Sequence, residues 1–204
     1  MESLLRAVAV LTVLFVGLFQ HGAVVDGRSY TSVLTVTNGQ QYGTWRWPVM
    51  CPDQYFAVGF SIRVEDYQQY PEDNTAMNGI RLICRKDGDR SLTYSMYSHG
   101  GFWGDWSSSQ YCPRGVLTSF QLRVEAYQGW FHDDTAVNNI RFRCSNGHVL
   151  QGTGMNWGEY GYWSQDCGKG GICGIETRMV ENGGYDESSL NDVRFRCCYR
   201  ASSD

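Results

Sequence analysis

The stretch DDTAVNNIRFRC at residues 133–144 decides the fold of this chain, because the chain contains it in three related copies. The other two are DNTAMNGIRLIC at 73–84 and DESSLNDVRFRC at 186–197. In each copy a polar, turn-forming half leads into a half in which apolar and Arg residues alternate. Such alternation places the two residue types on opposite faces of a β-strand. The pattern predicts three equivalent units, each with a loop followed by a strand that ends in cysteine.

Three further landmarks precede each copy in the same order. They are an aromatic-Gly-x-Trp element, a cysteine, and a short apolar run that ends at an Arg. The aromatic elements are YGTW at 42–45, WGDW at 103–106 and YGYW at 160–163. The period is about 55 to 60 residues, which is typical of a repeat that forms one supersecondary unit. We expect the repeats at about 28–88, 89–147 and 148–200.

The fold class follows from these repeats and from the lack of helical patterns. No stretch after the N-terminal residues shows a helical period over about ten residues, and the 24 glycines lie mostly between short alternating runs. Both features indicate an all-β protein with about four strands in each of three antiparallel sheets. Three sheets with internal pseudo-threefold symmetry can each bury one face against a shared axis. We therefore predict a β-prism.

The first residues have the composition of a secretory signal peptide. Arg6 is followed by an uncharged run at 7–19 and then by small residues within 22–27 that suit cleavage. The run is shorter than the roughly 20 apolar residues that a membrane span needs, and a membrane anchor is the alternative. We expect a signal peptide at 1–27, cleaved within 22–27, and a single β-prism domain at 28–204. The mature protein is then secreted and extracellular, with no membrane span.

Charge and motif content argue against several classes of function. The formal net charge is −4 at pH 7 and no cluster of Lys and Arg occurs along the sequence, so nucleic acid is not an expected partner. The chain contains no Cys-x-x-Cys pair and no Gly-rich phosphate loop before a helix. We therefore expect neither a metal site nor a cofactor.

The eight cysteines indicate a disulfide framework, because an even number behind a signal peptide is typical of secreted proteins. Equivalent positions in the repeats suggest the partners, although Cys167 and Cys173 could exchange theirs. Neighbouring residues of a strand face opposite sides, so adjacent cysteines can have different partners. The predicted bonds are Cys51–Cys84, Cys112–Cys144, Cys167–Cys197 and Cys173–Cys198.

Five stretches also match a known family: YTSVLTVTNG at 30–39, NNIRFRCS at 138–145, WGEYG at 157–161, GICGI at 171–175 and LNDVRF at 190–195. Together they resemble the vitelline membrane outer layer protein I family. The resemblance implies a β-prism of three Greek-key sheets, secretion, and disulfide bonds shared between the ends of the sheets. It also implies a role in an extracellular coat, such as the outer layer around an egg, or in secreted fluids. Binding or transfer of chito-oligosaccharides is a further family-level implication.

Acidic residues are the candidates for catalysis. The family's usual Gly-Asp-Asp-Thr-Ala turn is altered at 72–76 and 185–189, and only Asp133 and Asp134 keep both Asp residues. With Glu159, they could serve a glycosidase, which needs two carboxylates roughly 5 to 9.5 Å apart. The competing interpretation is that these acids accept backbone N–H bonds in tight turns and pair with Arg. We favour it, because one active site does not need its motif three times.

Residues that break the repeat are the better candidates for ligand binding. Trp47, Tyr67, Trp130 and Phe131 are the unrepeated aromatic residues that could stack on sugar rings. Arg141 recurs in register and is a candidate within a polar groove, although ion pairs with the repeated acids are the expected role of the recurring arginines. The core is the expected place of the recurring tryptophans, Trp45, Trp106 and Trp163.

These observations predict a disulfide-stabilised extracellular coat or matrix protein that binds glycans or glycoproteins. The alternative is an enzyme, a glycoside hydrolase or transferase acting on N-acetylglucosamine oligomers. A third function, membrane damage by a toxin-like module, rests on fold-level analogy alone.

Overall fold

Long antiparallel strands dominate the computed structural model, which describes residues 23–25, 27–65, 77–86, 89, 91–126, 136–180 and 190–201. This part of the chain contains no helix, and hence none able to cross a membrane. Residues 1–22 of the predicted signal peptide lie outside it, as does most of each acidic turn. In chain order the strands are β1 (Ala23–Val25), β2 (Arg28–Tyr30), β3 (Ser32–Leu34), β4 (Thr44–Trp45), β5 (Val49–Met50), β6 (Tyr55–Val64), β7 (Met77–Lys86), β8 (Thr93–Met96), β9 (Asp105–Trp106), β10 (Gln110–Tyr111), β11 (Leu117–Val124), β12 (Val137–Cys144), β13 (Val149–Gln151), β14 (Glu159–Tyr160), β15 (Gly170–Met179) and β16 (Leu190–Tyr199).

The strands form three antiparallel sheets, each centred on a long hairpin. The first sheet has the order β10-β6-β7-β8, with β9 also paired to β6. The second has the order β13-β12-β11-β14. The third has the order β3-β16-β15-β4, with β5 also paired to β15. Strands β1 and β2 pair with each other outside these sheets.

The third sheet combines strands from both ends of the described chain. Its edge strands β3, β4 and β5 come from the N-terminal part, whereas β15 and β16 come from the C-terminal part. The sheets are therefore offset from the sequence repeats. The edge strands β9 and β14, which carry aromatic-Gly elements, pair with the hairpin before them, and β4 pairs with the last hairpin. Such pairing covers the open edge of the hairpin, which would otherwise expose unpaired backbone groups.

Apolar residues that alternate along the long strands meet at the centre of the molecule. In β12, Phe142 is fully buried, whereas its neighbour Arg141 is partly exposed. The ring centroids of Phe60 and Phe142 are 4.7 Å apart, as are those of Phe120 and Phe195, so rings from all three sheets contact one another. Burial of each ring contributes about 2–3 kcal/mol to stability. The predicted β-prism, with one face of each sheet against a shared axis, is confirmed.

Three of the four disulfide bonds join neighbouring sheets. They are Cys51–Cys84 from the third sheet to the first, Cys112–Cys144 from the first to the second, and Cys167–Cys197 from the second to the third. In each, the first cysteine continues the ladder of one sheet; the Cys51 N–H, for example, donates to the Cys173 carbonyl at 2.8 Å. The fourth bond, Cys173–Cys198, lies within the third hairpin. Partners in the third repeat are therefore not exchanged, and the intersheet bonds encircle the prism.

The conformation of the turn before each aromatic edge strand shows which stretch is the third aromatic-Gly element. Its glycine has a positive φ and lies so close to the backbone at the end of a long strand that a Cβ atom would overlap a carbonyl oxygen. Gly161, within 160–163, has no such φ. The prediction that 160–163 is the third copy is therefore wrong, and the third copy is WGEY at 157–160. The glycines and their φ values are Gly43 at 76°, Gly104 at 79° and Gly158 at 70°.

The recurring tryptophans lie outside the core, so the prediction of their burial is wrong. Trp45, Trp106 and Trp163 are each partly exposed. Trp45 and Trp106 belong to the short edge strands β4 and β9. Trp45 pairs with Arg178 and Trp106 with Arg63, so each ring lies on the same face of its sheet as that arginine. Their rings instead lie against arginines on the outer faces of the sheets.

Candidate functional site

Each sheet carries an Arg side chain stacked on an aromatic ring of an edge strand. The distances from the guanidinium carbon to the ring centroid are 3.9 Å for Arg81 over Trp106, 3.8 Å for Arg141 over Tyr160 and 4.3 Å for Arg194 over Trp45. A second arginine of each sheet donates its Nε–H to the carbonyl of a left-handed glycine. These bonds run from Arg63 to Gly104 at 2.8 Å, from Arg123 to Gly158 at 2.8 Å and from Arg178 to Gly43 at 3.1 Å. Contacts that recur in all three sheets belong to the scaffold.

Arg141, a predicted ligand-binding residue, is one of these scaffold arginines. Its Nε–H donates to Gln151 Oε1 at 2.7 Å, and its guanidinium covers the Tyr160 ring. Burial raises the pKa of the Tyr160 hydroxyl, and the positive charges of Arg141 and Arg123 oppose that rise. The predicted ion pairs between the recurring arginines and the acidic turns stay a prediction, since those turns lie largely outside the described residues.

Glu176 on the outer face of the third sheet makes ion pairs with two arginines. It accepts hydrogen bonds from Arg194 at 2.6 and 2.9 Å and from Arg196 at 2.6 Å. Burial alone would raise the pKa of Glu176, but the hydrogen bonds and charges of the two arginines outweigh burial and lower it. Gln121 occupies the equivalent position in the second sheet, opposite Arg141. Glu176 is therefore a charged structural partner and is poorly suited to donate a proton.

Asp192 is the second carboxylate that distinguishes the third sheet. Burial raises the pKa of Asp192 to about 6, although the Val193 N–H, Arg178 and Arg194 favour its charged form. Its Oδ1 accepts the Val193 N–H at 2.8 Å. The side chain packs directly against Gly39, where a Cβ atom would overlap the carboxylate. This tight packing explains the burial.

Three aromatic rings meet at the seam between the third and first sheets. Trp47, between β4 and β5, makes an edge-on contact with His99, with ring centroids 5.8 Å apart. His99 in turn contacts Phe102 edge-on at 5.7 Å. The exposed fractions of Trp47 and Phe102 are 59% and 64%, so both rings face solvent. We call Trp47, His99 and Phe102 the aromatic cluster.

Hydrogen bonds fix the backbone that carries the aromatic cluster. Arg63 donates from Nη1 to the Gly101 carbonyl at 3.0 Å and from Nη2 to the Phe102 carbonyl at 2.9 Å. Ser98 Oγ donates to the Trp47 carbonyl at 2.6 Å and so connects the two sheets across the seam. Because this backbone is already held in place, a ligand that stacks on the rings loses little free energy to ordering of the backbone.

The aromatic cluster occurs at one of three equivalent seams. The register places Ser108 and Tyr162 at the positions equivalent to Trp47, because each follows an aromatic residue that pairs with an equivalent arginine. Ser108 has no ring, and Tyr162, which is 86% exposed, has no ring contact with another described residue. The fold therefore forms without such a cluster, and the cluster is available for function.

A groove beside the second sheet contains two carboxylates. It has a volume of about 420 Å³ and is lined by Glu159, by Glu125 at the end of β11, and by Asn38 and Gln40 from the N-terminal part. Gln40 Nε2 donates to the Glu125 carbonyl at 2.7 Å, which attaches that part to the second sheet. The groove brings the predicted catalytic residue Glu159 together with Glu125, which sequence patterns did not single out.

Comparison with known proteins identifies the family of this chain. The family model described as vitelline membrane outer layer protein I (VOMI) matches residues 32–200, a range that includes every strand of the three sheets. The chain belongs to this family. The resemblance seen in the sequence is thereby confirmed.

Two relatives match almost end to end. A vitelline membrane outer layer protein 1 homolog of Mus musculus is 46% identical over 195 residues, covering 95% of this chain and 96% of the relative. The Homo sapiens homolog is 48% identical over 179 residues, covering 86% and 88%. Both identities and coverages support the assignment of the chain to the VOMI family.

Solved structures of plant lectins share the architecture. Calystegia sepium agglutinin aligns with a TM-score of 0.54 at 10% identity, covering 85% of this chain and 99% of the agglutinin. Artocarpin, solved as a complex with mannotriose, aligns with a TM-score of 0.52 at 13% identity, covering 83% and 99%. At such low identity the likeness concerns the fold alone. It confirms the β-prism in this VOMI family member.

The three predicted site residues of this VOMI protein that the structure describes do not converge on one place. Trp47 belongs to the aromatic cluster, whereas Glu159 lines the groove of the second sheet and Arg141 stacks on Tyr160 beside it. The predictions for Tyr67, Trp130, Phe131, Asp133 and Asp134 fall outside the described residues. Among the residues that the structure describes, no group of three or more His, Cys, Asp or Glu could hold a metal ion.

Sequence reasoning did not single out His99 and Phe102 as site residues. One local feature pointed to them. Phe102 and Trp103 are consecutive aromatic residues in front of a repeated glycine, and both are more than half exposed. The other aromatic elements of this VOMI protein have a single ring at that place.

Proposed function

We propose that this protein is a secreted component of an extracellular coat or matrix, which binds glycan chains through the aromatic cluster. The observation that carries the proposal is the contact of Trp47 with His99 and of His99 with Phe102, with the two outer rings open to solvent. Exposed aromatic rings supply a large apolar surface at low conformational cost, and their faces suit stacking against sugar rings.

Family membership and covalent structure support the extracellular part of the proposal. The relatives are named as homologs of a vitelline membrane outer layer protein. The structure contains four disulfide bonds and no free cysteine, which is typical of proteins that leave the reducing cytosol. Residues 1–27, with cleavage within 22–27, are the proposed signal peptide, and 28–204 the mature β-prism domain.

The lectin likeness supports glycans as partners only in a general way. Artocarpin has been solved with mannotriose bound, which shows that a β-prism can present a sugar site. Fold likeness does not carry a site from one protein to another. The proposal for this chain therefore depends on its own aromatic cluster, and its ligand class, N-acetylglucosamine oligomers, comes from the family resemblance.

Titration with chito-oligosaccharides, followed by tryptophan fluorescence, tests the proposal. We expect saturable binding by the wild-type protein, and at least about a tenfold loss of affinity in Trp47→Ala and in Phe102→Ala. Tyr162→Ala is the matched control, because Tyr162 is the exposed equivalent of Trp47 at another seam. Affinities of Trp47→Ala and Phe102→Ala equal to that of Tyr162→Ala would overturn the aromatic cluster as the site.

A second candidate function is hydrolysis or transfer of N-acetylglucosamine oligomers. The observation that favours it is the groove lined by both Glu125 and Glu159, since such chemistry uses two carboxylates. Mass spectrometry of the titrated oligosaccharides detects hydrolysis or transfer directly, as oligomers of new length. Oligomers of new length that disappear in Glu159→Gln but persist in Trp47→Ala would establish the enzyme. Asp133→Asn and Asp134→Asn test the remaining predicted catalytic residues in the same assay.

A further inference from the structure

Positive charge is concentrated in one groove of an otherwise acidic protein. The groove has a volume of about 230 Å³, and its polar lining includes Arg85, Lys86, Arg114 and Arg200, with Asp89 as its single carboxylate. Its floor is apolar and includes Phe56 and Val116. We call it the basic groove. The whole chain has a net charge of −4, so this local excess of cations is not a consequence of composition.

The fold does not require these cations. Because Cys84, Cys144 and Cys197 are equivalent, the residues that follow them are equivalent too. Arg85 therefore has Ser145 and Cys198 as its counterparts. Lys86 has Asn146 and Tyr199, and Arg114, two residues after Cys112, has Asp53 after Cys51 and Lys169 after Cys167. Only one seam of three combines the cations, so a role beyond structure explains them.

The groove is partly preorganised. Arg85 is held over the Tyr111 ring at 4.9 Å and donates its Nε–H to Thr93 Oγ1 at 3.2 Å. Lys86 and Arg114 are exposed at the rim, and the charge of Lys86 also interacts with that of Asp89. Asp89 is engaged by Ser91, whose N–H and Oγ bond its Oδ1 at 2.7 and 2.6 Å.

We propose that the basic groove binds sulfate ester groups of an acidic glycan chain. Guanidinium groups bind tetrahedral oxyanions through paired N–H donors, and several of them around one cavity select a multiply charged ligand. The volume accommodates one substituted sugar ring rather than an isolated ion. The choice of a glycan rests on the proposed extracellular function, but it does not use the aromatic cluster.

The basic groove and the aromatic cluster are separate sites. Gly79, near the start of β7, packs against Gly100 beside the aromatic cluster, whereas Arg85 and Lys86 lie at the other end of that strand. Seven residues of extended strand span about 23 Å. Each site can therefore be tested without disturbing the other.

Calorimetric titration with a heparin octasaccharide tests the basic groove. We expect Lys86→Gln and Arg114→Gln each to weaken binding about threefold to fivefold, and the double variant about tenfold or more. Lys169→Gln is the control, because it removes the same charge from an exposed lysine in the corresponding turn of another seam. An equal loss in Lys169→Gln would show that only net charge matters, which would overturn the site.

Two further ligands distinguish sulfate esters from carboxylates and phosphates as the bound groups. Desulfated heparin keeps the carboxylates and should bind at least about tenfold more weakly than heparin. Inorganic polyphosphate should bind no more tightly than the octasaccharide. Equal binding of desulfated heparin, or tighter binding of polyphosphate through Lys86 and Arg114, would overturn the assignment to sulfated glycans. Trp47→Ala should bind heparin as the wild type does, so failure of the aromatic cluster leaves this test unaffected.

Discussion

The Arg141 guanidinium lies 3.8 Å from the centroid of the Tyr160 ring, on the outer face of the second sheet. The equivalent residues of the other sheets repeat the stack, and a neighbouring arginine in each sheet bonds the left-handed glycine just before the ring. The outer arginines and aromatic residues thus attach each edge strand to its hairpin. This repeated role separates them from Trp47 and Phe102, whose contacts with the ring of His99 occur at one seam of the described residues.

The glycine beneath the Arg141–Tyr160 stack should tolerate no side chain. Gly158 has a φ of 70°, and a Cβ atom there would overlap the Val124 carbonyl oxygen. Gly147 also has a positive φ, of 84°, but no atom lies within 4 Å of its Cβ position. Urea unfolding should show that Gly147→Ala loses about 1 kcal/mol, and that Gly158→Ala loses about 1–3 kcal/mol more. Equal losses would contradict the close approach.

Removing the charge of Glu176 should destabilise the third sheet. Arg196, whose side chain is 7% exposed, would lose its carboxylate partner, and breaking such a buried pair costs about 3 kcal/mol. We expect Glu176→Gln to lose about that amount in urea unfolding at pH 7. Glu159→Gln, at an exposed carboxylate, should stay within about 0.5 kcal/mol of the wild type.

The pH dependence provides a second readout for Glu176. Its pKa in the folded protein is lowered, so its stabilising contribution is present above the ordinary pKa of 4.5 and is lost as the pH falls through the folded pKa. The wild type should therefore lose more stability than Glu176→Gln on acidification below 4.5. Parallel curves for the two proteins would show that the ion pair does not contribute.

The prism could be predicted from the sequence because its main determinants are local. In β12 the alternation of Ile140, Arg141 and Phe142 predicts the buried and outer faces, and equivalent cysteine positions predict the bonds. The third aromatic-Gly element was misplaced for a physical reason. Both 157–160 and 160–163 contain aromatic residues around a glycine, and the positive φ of Gly158 and its close approach to Val124 distinguish them.

The candidate sites were harder to predict, because each combines residues from separate segments. Trp47 was singled out as an unrepeated aromatic residue, but its neighbours His99 and Phe102 come from another sheet across the seam. The basic groove likewise joins Arg85 and Arg114, which are far apart in a sequence without any cluster of Lys and Arg. Alternation along one strand contains no information on which seam two segments will share.

The intersheet and intrahairpin disulfide bonds should stabilise the protein equally. Their sequence separations are 32 for Cys112–Cys144 and 25 for Cys173–Cys198, and loop entropy gives each about 3–4 kcal/mol. Because the dependence on loop length is logarithmic, the two double Cys→Ala variants should differ by less than about 0.5 kcal/mol in urea unfolding. A much larger loss in Cys112→Ala/Cys144→Ala would mean that the bond holds the seam in the folded state.

Asp192 should make the protein more stable as the pH falls from 8 to 5. Its pKa is about 6 in the folded protein, above the ordinary 3.8, because burial disfavours the charged carboxylate. The folded state therefore takes up a proton near pH 6 that the unfolded state does not, and protonation removes the penalty of the buried charge. Full conversion of the shift at 1.36 kcal/mol per pKa unit overstates the effect of a partly solvated group. Only about one pH unit of this range lies below the folded pKa, so we expect a gain of about 1 kcal/mol.

Asp192→Asn should abolish this gain and be the more stable protein at pH 8. Asn139 occupies the equivalent position in the second sheet, where its Oδ1 accepts the Ile140 N–H at 2.8 Å, just as Asp192 accepts the Val193 N–H. The amide therefore keeps the local hydrogen bond and removes only the charge. Urea unfolding at pH 5 and pH 8 measures both effects, and staying above pH 4.5 keeps Glu176 ionised in both proteins. If Asp192→Asn is less stable than the wild type at pH 8, the carboxylate stabilises the sheet through Arg178 and Arg194, and their attraction outweighs its burial.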